Sequence, residues 1–513
     1  MPTLTLPLLD GERWWGGAVA DGRNMPFPDG YSFDLRDVMA NQGMPLLVSS
    51  RGRWVHSTRT FTFTIGSGVL TATPHESDAV ISHGEGFGDL RGAYRDAMRE
   101  HYPATGTMPD ELLFSAPQYN LWIETVFEPS QDKVLAYAER LVAEGFPPGV
   151  IMIDDRWSVD YGDWTFHPGR FPDPKGMIAR LHELGFKVML WLVPYVTPDS
   201  PTARRLNDAG LLVRESESHE HAFGGRMKVG WWWNGWSAAL DLLNPDTTAW
   251  LNTHLTMLRD ELGVDGFKFD GGDAPWWRQL GCADPEAYTH AWNRFGLGWP
   301  LNEFRDSWRA AGLPLAQRQQ DKYHQWEGQF GLESLIPNAL AQAVTGHAFT
   351  CPDMIGGGEF RFVPSEDGEG FDPELFVRYA QVAALFPMMQ FSAAPWRVLH
   401  DPAHLDAVRK AALLHARFAP EILALATESA RTGDPVQRPL EWAHPGQGYA
   451  DVHDQFMLGD DLMVAPVVTK GATSRPVAIP PGAWRADDGT AYEGPAVVEI
   501  DAPLTRLPWF RRA

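Results

Sequence analysis

The pattern of hydrophobic and polar residues divides the chain into three parts. Up to about residue 108, short apolar runs such as 44–48 and 61–65 alternate with clusters of Gly, Pro and Asp. Such runs between turn residues are typical of antiparallel sheets, so we predict an N-terminal β-sandwich over residues 1–108. The same pattern returns after residue 420 and predicts a small C-terminal β-domain over residues 421–513.

The middle part alternates strand patterns with helix patterns. The predicted strands are apolar segments that end in polar residues, over 119–124, 149–155, 187–194, 264–270, 315–320, 348–353 and 387–392. Predicted helices accompany the later strands, around 327–344, 373–384 and 401–418. An eighth strand is expected between residues 285 and 314, although 301–311 has a more helical pattern. This alternation predicts an α/β fold, a (β/α)8 TIM barrel over residues 109–420.

The predicted strand at 264–270 offers candidate chemistry. Lys268 and Asp270 are two residues apart, and the side-chain period of a strand places both on the same face. Inside a barrel, the attraction of the lysine would keep the acid ionised, as a carboxylate nucleophile requires. A purely structural ion pair fits the same two residues. The residues at the neighbouring strand ends therefore have to distinguish the catalytic interpretation from the structural one.

Net charge and motif spacing narrow the classes of function. A formal net charge of −23 disfavours nucleic acids and anionic membrane surfaces as partners, because both attract basic patches. Neither a membrane-spanning run nor a signal-peptide pattern occurs in the sequence, so we expect a cytoplasmic protein. The histidines lack zinc-hydrolase spacing and the glycines at 356–358 lack the lysine of a phosphate loop. We therefore expect no metal and no cofactor.

The 22 tryptophans favour a sugar as the partner, since the apolar C–H face of a sugar ring packs on aromatic rings. Acids and tryptophans also gather at the predicted strand ends, namely Trp122, Glu124, Asp154, Asp155, Trp191, Asp270, Arg318, Asp321 and Asp353. TIM-barrel enzymes place their active sites at this face. Two carboxylates beside a glycosidic bond are the usual machinery of glycoside hydrolysis, so we expect a glycoside or oligosaccharide substrate. The oligomeric state stays open, a homo-oligomer included.

Several motifs occur in one order along the chain. They are Ile-Asp-Asp at 153–155, Phe-Lys-Phe-Asp at 267–270, Arg-Gln-Gln-Asp-Lys at 318–322, His-Gln-Trp-Glu at 324–327 and Cys-Pro-Asp-Met-Ile-Gly-Gly-Gly at 351–358. Together with segments 433–440 and 455–466, they resemble glycoside hydrolase family 31. The resemblance covers roughly residues 115–485 and is strongest to the branch that includes the myogenesis-regulating glycosidase and its bacterial relatives.

The resemblance implies a retaining, exo-acting enzyme that hydrolyses α-glycosides with two aspartates. By motif, Asp270 is the nucleophile and Asp321 is the acid/base, and the two carboxyl groups should lie about 5–5.5 Å apart. The family's usual Trp-x-Gly-Asp motif around the acid is absent, because residues 326–329 are Trp-Glu-Gly-Gln. Asp353 and Glu327 therefore stay open as alternative acids.

Other residues have predicted substrate-binding roles, namely Trp122, Asp154, Asp155, Trp191, Trp233, Lys268, Arg305, Arg318 and Asp353. Trp122 and Trp191, at strand ends, would form pocket walls or belong to the core. Asp154 and Asp155 would accept hydrogen bonds from sugar hydroxyls or cap a turn. Trp233 resembles an aromatic residue that the related branch places against its sugar. Arg305 fits a surface helix equally well, and Lys268 is expected to orient Asp270.

The identity of the sugar depends on one substitution relative to the family. Met152 stands where many members have an acid that binds the far hydroxyls of glucose. Together with the branch resemblance, it favours a terminal α-linked hexose of the α-galactoside type. An α-glucosidase, an α-xylosidase and a catalytically silent sugar-binding relative stay open as alternatives.

Overall fold

The computed structural model describes residues 3–39, 41–126, 128–215, 226–362 and 370–513, and it begins with a β-sandwich. The strands are β1 Leu4–Pro7, β2 Trp14–Ala18, β3 Tyr31–Asp34, β4 Gln42–Ser49, β5 Trp54–Ser57, β6 Phe61–Gly66, β7 Val69–Pro74 and β8 Ile81–Gly84. One sheet has the order β1-β7-β6-β3, and β4, β5 and β8 form the other with β2 alongside β4. Apolar side chains of both sheets share one core, which also contacts helix α1, Leu90–His101.

Eight parallel strands form the predicted barrel. They are β9 Gln118–Asn120, β10 Val150–Ile153, β11 Lys187–Leu192, β15 Gly266–Phe269, β16 Asn302–Phe304, β18 Gln317–Arg318, β19 Thr350–Cys351 and β20 Gln390–Phe391. Their order is β19-β18-β16-β15-β11-β10-β9-β20, and a hydrogen bond from Ile355 N to Gln390 O at 2.9 Å joins the two ends. The barrel is therefore nearly closed, and the C-terminal ends of all eight strands open on one face.

Helices and short strands fill the connections. The helices are α2 Leu112–Ser115, α3 Trp122–Thr125, α4 Gln131–Ala143, α5 Pro174–Glu183, α6 Pro201–Asp208, α7 Pro245–Met257, α8 Ala274–Gln279, α9 Pro285–Gly296, α10 Leu335–Val344, α11 Pro373–Ala384, α12 Pro395–Val398 and α13 Pro402–Thr432. Strands β12 Tyr195–Val196, β13 Val229–Trp232 and β14 Gly235–Ala239 make a small antiparallel sheet above the barrel. Strand β17, Ser307–Trp308, leaves the barrel and pairs in parallel with β4 of the sandwich.

The strand predicted over 119–124 is too long. It ends at Asn120, and helix α3 begins two residues later. The side chain of Asn120 accepts a hydrogen bond from the backbone N–H of Trp122 at 2.9 Å, so a side-chain turn ends the strand. Trp122 and Glu124 consequently belong to a helix and not to a strand.

The helical interpretation of 301–311 is wrong, and β16 supplies the eighth strand within the expected interval. Its residues Asn302 and Glu303 are both buried, so their polarity does not mark a solvent-exposed face. Apolar and polar positions therefore follow no simple period in this segment. The helix predicted over 401–418 is also longer, because α13 continues through Pro420 and ends before Gly433, whose φ of +80° favours glycine.

The C-terminal part is the predicted small β-domain. Its strands are β21 Gln437–Arg438, β22 Phe456–Leu458, β23 Leu462–Val464, β24 Ser474–Ala486, β25 Ala491–Asp501 and β26 Trp509–Arg512, with the short helix α14 Leu440–Ala443 after β21. They form one sheet in the order β21-β22-β23-β26-β24-β25. A separate apolar cluster, which includes Trp484 and Phe510, stabilises this sheet.

Candidate active site

A cavity of about 350 Å³ opens at the C-terminal face of the barrel. It is lined by Trp122, Asp154, Asp155, Trp191, Trp231, Trp232, Trp233, Lys268, Asp270, Arg305, Arg318, Asp321, Met354, Gly358, Glu359, Phe360 and Arg361. Every residue to which the sequence assigned a catalytic or binding role is in this set except Asp353 and the alternative acid Glu327. The barrel therefore brings together residues that are far apart in sequence, from Trp122 to Arg361, because parallel strands end at one face.

Asp270 follows β15 and is held on three sides. Trp191 Nε1 donates a hydrogen bond to its Oδ2 at 2.8 Å, the backbone N–H of Gly271 donates to its Oδ1 at 2.9 Å, and Arg305 Nε lies 3.3 Å from Oδ1. Gly271 and Gly272 turn the chain with φ of +60° and +80°, which glycine adopts without strain. The Tyr195 hydroxyl fixes this turn by accepting a hydrogen bond from Gly272 N at 2.7 Å.

The charges around Asp270 keep it ionised. Burial alone would raise its pKa, but the positive charges of Arg305, Lys268 and Arg318 together outweigh burial. The hydrogen bond from Trp191 acts in the same direction, so the pKa of Asp270 lies well below its ordinary value. An ionised carboxylate with one oxygen bonded to an indole N–H is a suitable nucleophile.

Arg305 joins Asp270 to Asp321. Its NH1 atom lies 3.4 Å from Asp321 Oδ2, and its Nε atom contacts Asp270 at 3.3 Å. Its NH2 atom also lies 3.3 Å from Asp306, whose side chain is buried behind it. Arg305 is thus a cavity residue on the loop after β16, and the alternative of a surface helix is wrong.

Arg318 holds Asp321 from below. Its NH1 atom donates to Asp321 Oδ1 at 2.9 Å and to Asp353 Oδ1 at 2.5 Å, and its Nε donates to Glu303 at 3.2 Å. Asp353 is fully buried, and its other oxygen accepts a hydrogen bond from Lys322 N at 2.6 Å. Burial raises the pKa of Asp353 to about 6, although Arg318 opposes the rise. Asp353 therefore supports Arg318 beneath the cavity, and it is not among the described residues that line the cavity and could bind a substrate there.

Lys268 does not pair with Asp270, contrary to the prediction. Its Nζ atom donates to Asp154 Oδ2 at 2.7 Å, and both side chains are buried. Burial lowers the pKa of Lys268, but the charges of Asp154, Asp270 and Glu303 together outweigh burial and raise the pKa overall. The long side chain reaches an acid two strands away, which the face of β15 alone does not reveal. Lys268 still acts on Asp270 through its positive charge.

Asp155 occupies a buried turn beside Asp154. Its Oδ2 accepts a hydrogen bond from the Tyr161 hydroxyl at 2.8 Å, and its Oδ1 accepts one from Arg156 N at 2.6 Å. Burial is the main cause that raises the pKa of Asp155 to about 7, and the charge of Asp154 adds to it. Asp155 therefore caps a turn, which is one of its predicted alternatives, and it also lines the cavity.

Aromatic side chains form the walls. The Trp122 ring lies 5.6 Å from Trp233 and its Nε1 donates to Gly358 O at 2.9 Å. The Trp191 ring stacks on Trp232 at 6.2 Å, with Trp232 supported by Tyr195 at 4.9 Å. Trp122 and Trp191 are thus wall residues and not merely core. Met152, by contrast, is fully buried inside the barrel, where its sulfur accepts a hydrogen bond from Asn120 at 3.2 Å.

Sequence reasoning missed several lining residues. They are Trp231, Trp232, Met354, Gly358, Glu359, Phe360 and Arg361. The run of tryptophans at 231–233 was a visible signal, although only Trp233 was singled out. Nothing in the local sequence marks Phe360 or Arg361, because they reach the cavity through the loop after β19.

The N-terminal sandwich also contacts the site from behind. Gln42 on β4 is fully buried, and its Nε2 donates to the backbone carbonyl of Arg318 at 2.6 Å and to that of Arg305. Its Oε1 accepts a hydrogen bond from Gln342 of α10 at 3.1 Å. One side chain of the sandwich thus fixes the backbone of both arginines that contact the aspartates.

Two family models cover most of the chain. The model of the glycosyl hydrolases family 31 TIM-barrel domain matches residues 111–425, which is more than half of the chain. The model of the family 31 C-terminal domain matches residues 433–513. The chain belongs to glycosyl hydrolase family 31.

Relatives of known sequence support the same family. The myogenesis-regulating glycosidase of Mus musculus is 33% identical over 429 residues, which are 81% of this chain and 58% of the relative. The 1,3-alpha-isomaltosidase of Kribbella flavida is 30% identical over 375 residues, which are 68% of this chain and 51% of the relative. The chain therefore spans only a little over half the length of these family 31 relatives.

Solved family 31 structures share the fold of the whole chain. The GH31 dextranase of Flavobacterium johnsoniae complexed with glucose has a TM-score of 0.83 at 20% identity, covering 99% of this chain and 66% of that chain. A GH31 alpha-xylosidase from a soil metagenome complexed with xylose has a TM-score of 0.82 at 20% identity. The match covers 99% of this chain and 79% of the xylosidase chain. At this level of identity the likeness concerns the family 31 fold.

Two further properties concern the part of the chain that the structure describes. None of its helices combines the length and the apolar character needed to cross a membrane. Within the same ranges, no three His, Cys, Asp or Glu side chains cluster in a way that could hold a metal ion.

Proposed function

We propose that this chain is a retaining, exo-acting α-glycosidase that releases a terminal α-linked hexose. The observation that supports this most strongly is that Asp270 and Asp321 line one cavity and contact the same guanidinium group, that of Arg305. Retaining glycosidases need two carboxyl groups on either side of the scissile bond. The aromatic walls would pack on the sugar, and Asp154 and Asp155 would accept hydrogen bonds from its hydroxyls.

Hydrolysis would proceed by double displacement. Asp270 attacks the anomeric carbon while Asp321 donates its proton to the leaving oxygen, and a covalent glycosyl-aspartate forms. Asp321 then removes a proton from water, which attacks the same carbon and releases the sugar with its configuration retained. The first step requires Asp270 to begin ionised, and the surrounding positive charges favour that state.

The surroundings of the two alternative acids favour Asp321. Asp353 is fully buried and both of its carboxylate oxygens accept hydrogen bonds from the protein. Glu327 is exposed on the outer surface and is not among the described residues that line the cavity. Asp321 lines the cavity with 29% of its side chain exposed, so it is accessible to a leaving group.

We favour an α-galactoside over other hexosides. The support is the buried thioether of Met152, which offers no carboxylate to the hydroxyls that an acid would bind in a glucose-specific relative. An α-glucosidase or α-xylosidase is the second candidate, because similar proteins include the alpha-glucosidase 2 of Bacillus thermoamyloliquefaciens and the alpha-xylosidase XylQ of Lactiplantibacillus pentosus, 24% and 26% identical.

A panel of nitrophenyl α-galactoside, α-glucoside and α-xyloside tests the activity and the sugar together. The unmodified chain should cleave the galactoside fastest, and Asp270→Asn should abolish turnover without changing the circular dichroism spectrum. If no α-glycoside in the panel is cleaved, the chain is a silent sugar-binding relative and the proposal fails.

The acid/base is tested by rescue with azide. In Asp321→Ala, azide should restore turnover of an activated aryl glycoside and yield an α-glycosyl azide, because the anion needs no general base. Asp353→Asn and Glu327→Gln are the matched controls and should show no azide effect. Rescue of the Asp353 variant instead of the Asp321 variant would reassign the acid.

A further inference from the structure

A β-hairpin at the mouth of the cavity displays two tryptophans to solvent. Strands β13 and β14 pair so that Trp231 lies directly opposite Trp236. Their rings are 6.0 Å apart and nearly perpendicular, at 88°. The side chains are 55% and 61% exposed, which is unusual for the largest apolar residue.

The hairpin is firmly held, so the exposed rings have a fixed position. Strand β14 also pairs with β12 at Tyr195 and Val196, and the backbone carbonyl of Trp231 accepts a hydrogen bond from Trp276 Nε1 at 3.1 Å. Between the two exposed rings and the barrel lies Trp232, which is buried against Trp191 and Tyr195. A rigid support is what a binding surface for a rigid ligand needs, because little entropy is lost on binding.

The two tryptophans extend the cavity outward. Trp231 lines the cavity that contains Asp270 and Asp321, whereas Trp236 is its cross-strand neighbour and is not among the described residues that line it. When the terminal sugar of a substrate fills the cavity, the leaving group of that substrate must extend out through the open mouth. The apolar surface beside that path suits the C–H face of a sugar ring.

We propose that Trp231 and Trp236 form a binding platform for the sugar rings of the leaving group, so that the preferred substrate is an oligosaccharide. This inference deepens the proposed function and rests on it. Trp231 would contact the ring next to the scissile bond, and Trp236 would contact the following ring. Arg361 and Glu359 also line the cavity near its mouth and would offer polar partners to the hydroxyls of the same rings.

The test compares leaving groups of different size for the sugar that the nitrophenyl panel selects. The substrates are the α-glycosyl fluoride, whose leaving group cannot reach the hairpin, and the matching α-linked disaccharide and trisaccharide. For Trp236→Ala, kcat/KM should fall about five- to tenfold with the trisaccharide, mainly through KM, and stay unchanged with the fluoride. For Trp231→Ala, kcat/KM should fall at least five times more with the disaccharide than with the fluoride. Trp231→Phe should restore most of this loss in kcat/KM.

A binding measurement separates failure of the platform from failure of the proposed function. Titration calorimetry on Asp270→Asn, alone and combined with Trp231→Ala or Trp236→Ala, compares the monosaccharide with the trisaccharide and needs no turnover. The platform predicts that Trp236→Ala weakens trisaccharide binding and leaves monosaccharide binding equal. For Trp231→Ala, it predicts a loss of trisaccharide affinity at least five times larger than the loss of monosaccharide affinity. Equal losses for every ligand would show a structural effect and overturn the platform. Unchanged affinity together with a loss of self-association in gel filtration would instead assign the hairpin to contact between copies of this chain.

Discussion

Replacement of Arg305 by methionine should move the acidic limb of the pH profile. The positive charge of Arg305 is the largest of the influences that lower the pKa of Asp270, and burial opposes them. Methionine keeps most of the volume and removes the charge. Without that charge, the pKa of Asp270 should rise, and the nucleophile should become protonated at a higher pH than in the unmodified chain.

The size of the shift follows from the distance. Two unit charges 3.3 Å apart attract by about 5 kcal/mol at an effective dielectric constant of about 20, which corresponds to more than three pKa units. The guanidinium charge is spread over three nitrogens and is shared with Asp306 and Asp321, both within 3.4 Å. Lys268 and Arg318 remain in place. We therefore expect a rise of about one to two pKa units.

The assay is kcat/KM against pH with an activated aryl α-glycoside, because a good leaving group needs little help from the acid and the acidic limb then reports the nucleophile. Arg305→Lys is the matched control. Its acidic limb should lie between those of the unmodified chain and Arg305→Met, since lysine keeps the positive charge but lacks the forked guanidinium group. The reasoning is refuted if kcat/KM falls in Arg305→Met but the acidic limb of its pH profile coincides with that of the unmodified chain. Arg305 would then serve only to bind the substrate.

Two further predictions concern the surroundings of the site. Gln42→Met removes the donor that holds the backbone carbonyls of Arg305 and Arg318, so we expect a loss of about 1–3 kcal/mol in the free energy of unfolding and a fall in kcat that exceeds the change in KM. Denaturant titration and steady-state kinetics measure both, and an unchanged kcat would contradict the positioning role. Burial raises the pKa of Asp155 to about 7, whereas its value in the unfolded chain is near 4. Between these two pH values the native state binds one proton more than the unfolded state. The free energy of unfolding should therefore fall as the pH rises through this window and level off above pH 7. Asp155→Asn should reduce this slope by at most about 1.4 kcal/mol per pH unit in denaturant titrations from pH 5 to 8, and an identical slope in the variant would show that another group titrates.

The sequence allowed the barrel and most of the cavity to be predicted because one geometric rule connects them. In a parallel barrel the end of each strand faces the same opening, so polar residues that follow apolar runs must converge. Asp270, Asp154 and Trp191 could be placed in this way without any knowledge of long-range contacts.

The partners of buried charges could not be predicted from the same rule. The period of β15 gives the face of Lys268 but not the reach of its side chain, which crosses to Asp154 directly after β10. Asn302 and Glu303 are buried polar residues, and their burial concealed the strand at 302–304. Gln42 contacts Arg305 across 263 positions of sequence, and no local pattern encodes such a contact.

The position of Arg305 suits the charge changes of a double displacement. In the proposed mechanism, Asp270 starts as the carboxylate and Asp321 would donate the proton. After the proposed first step, Asp270 would be a neutral ester and Asp321 would be the carboxylate. Arg305 lies 3.3 Å from one and 3.4 Å from the other, so a single cation can neutralise whichever aspartate is charged without moving. Fixed charges that need no rearrangement lower the cost of moving charge during a reaction, so Gln42, which fixes the backbone of Arg305, would contribute to the proposed catalysis by this route.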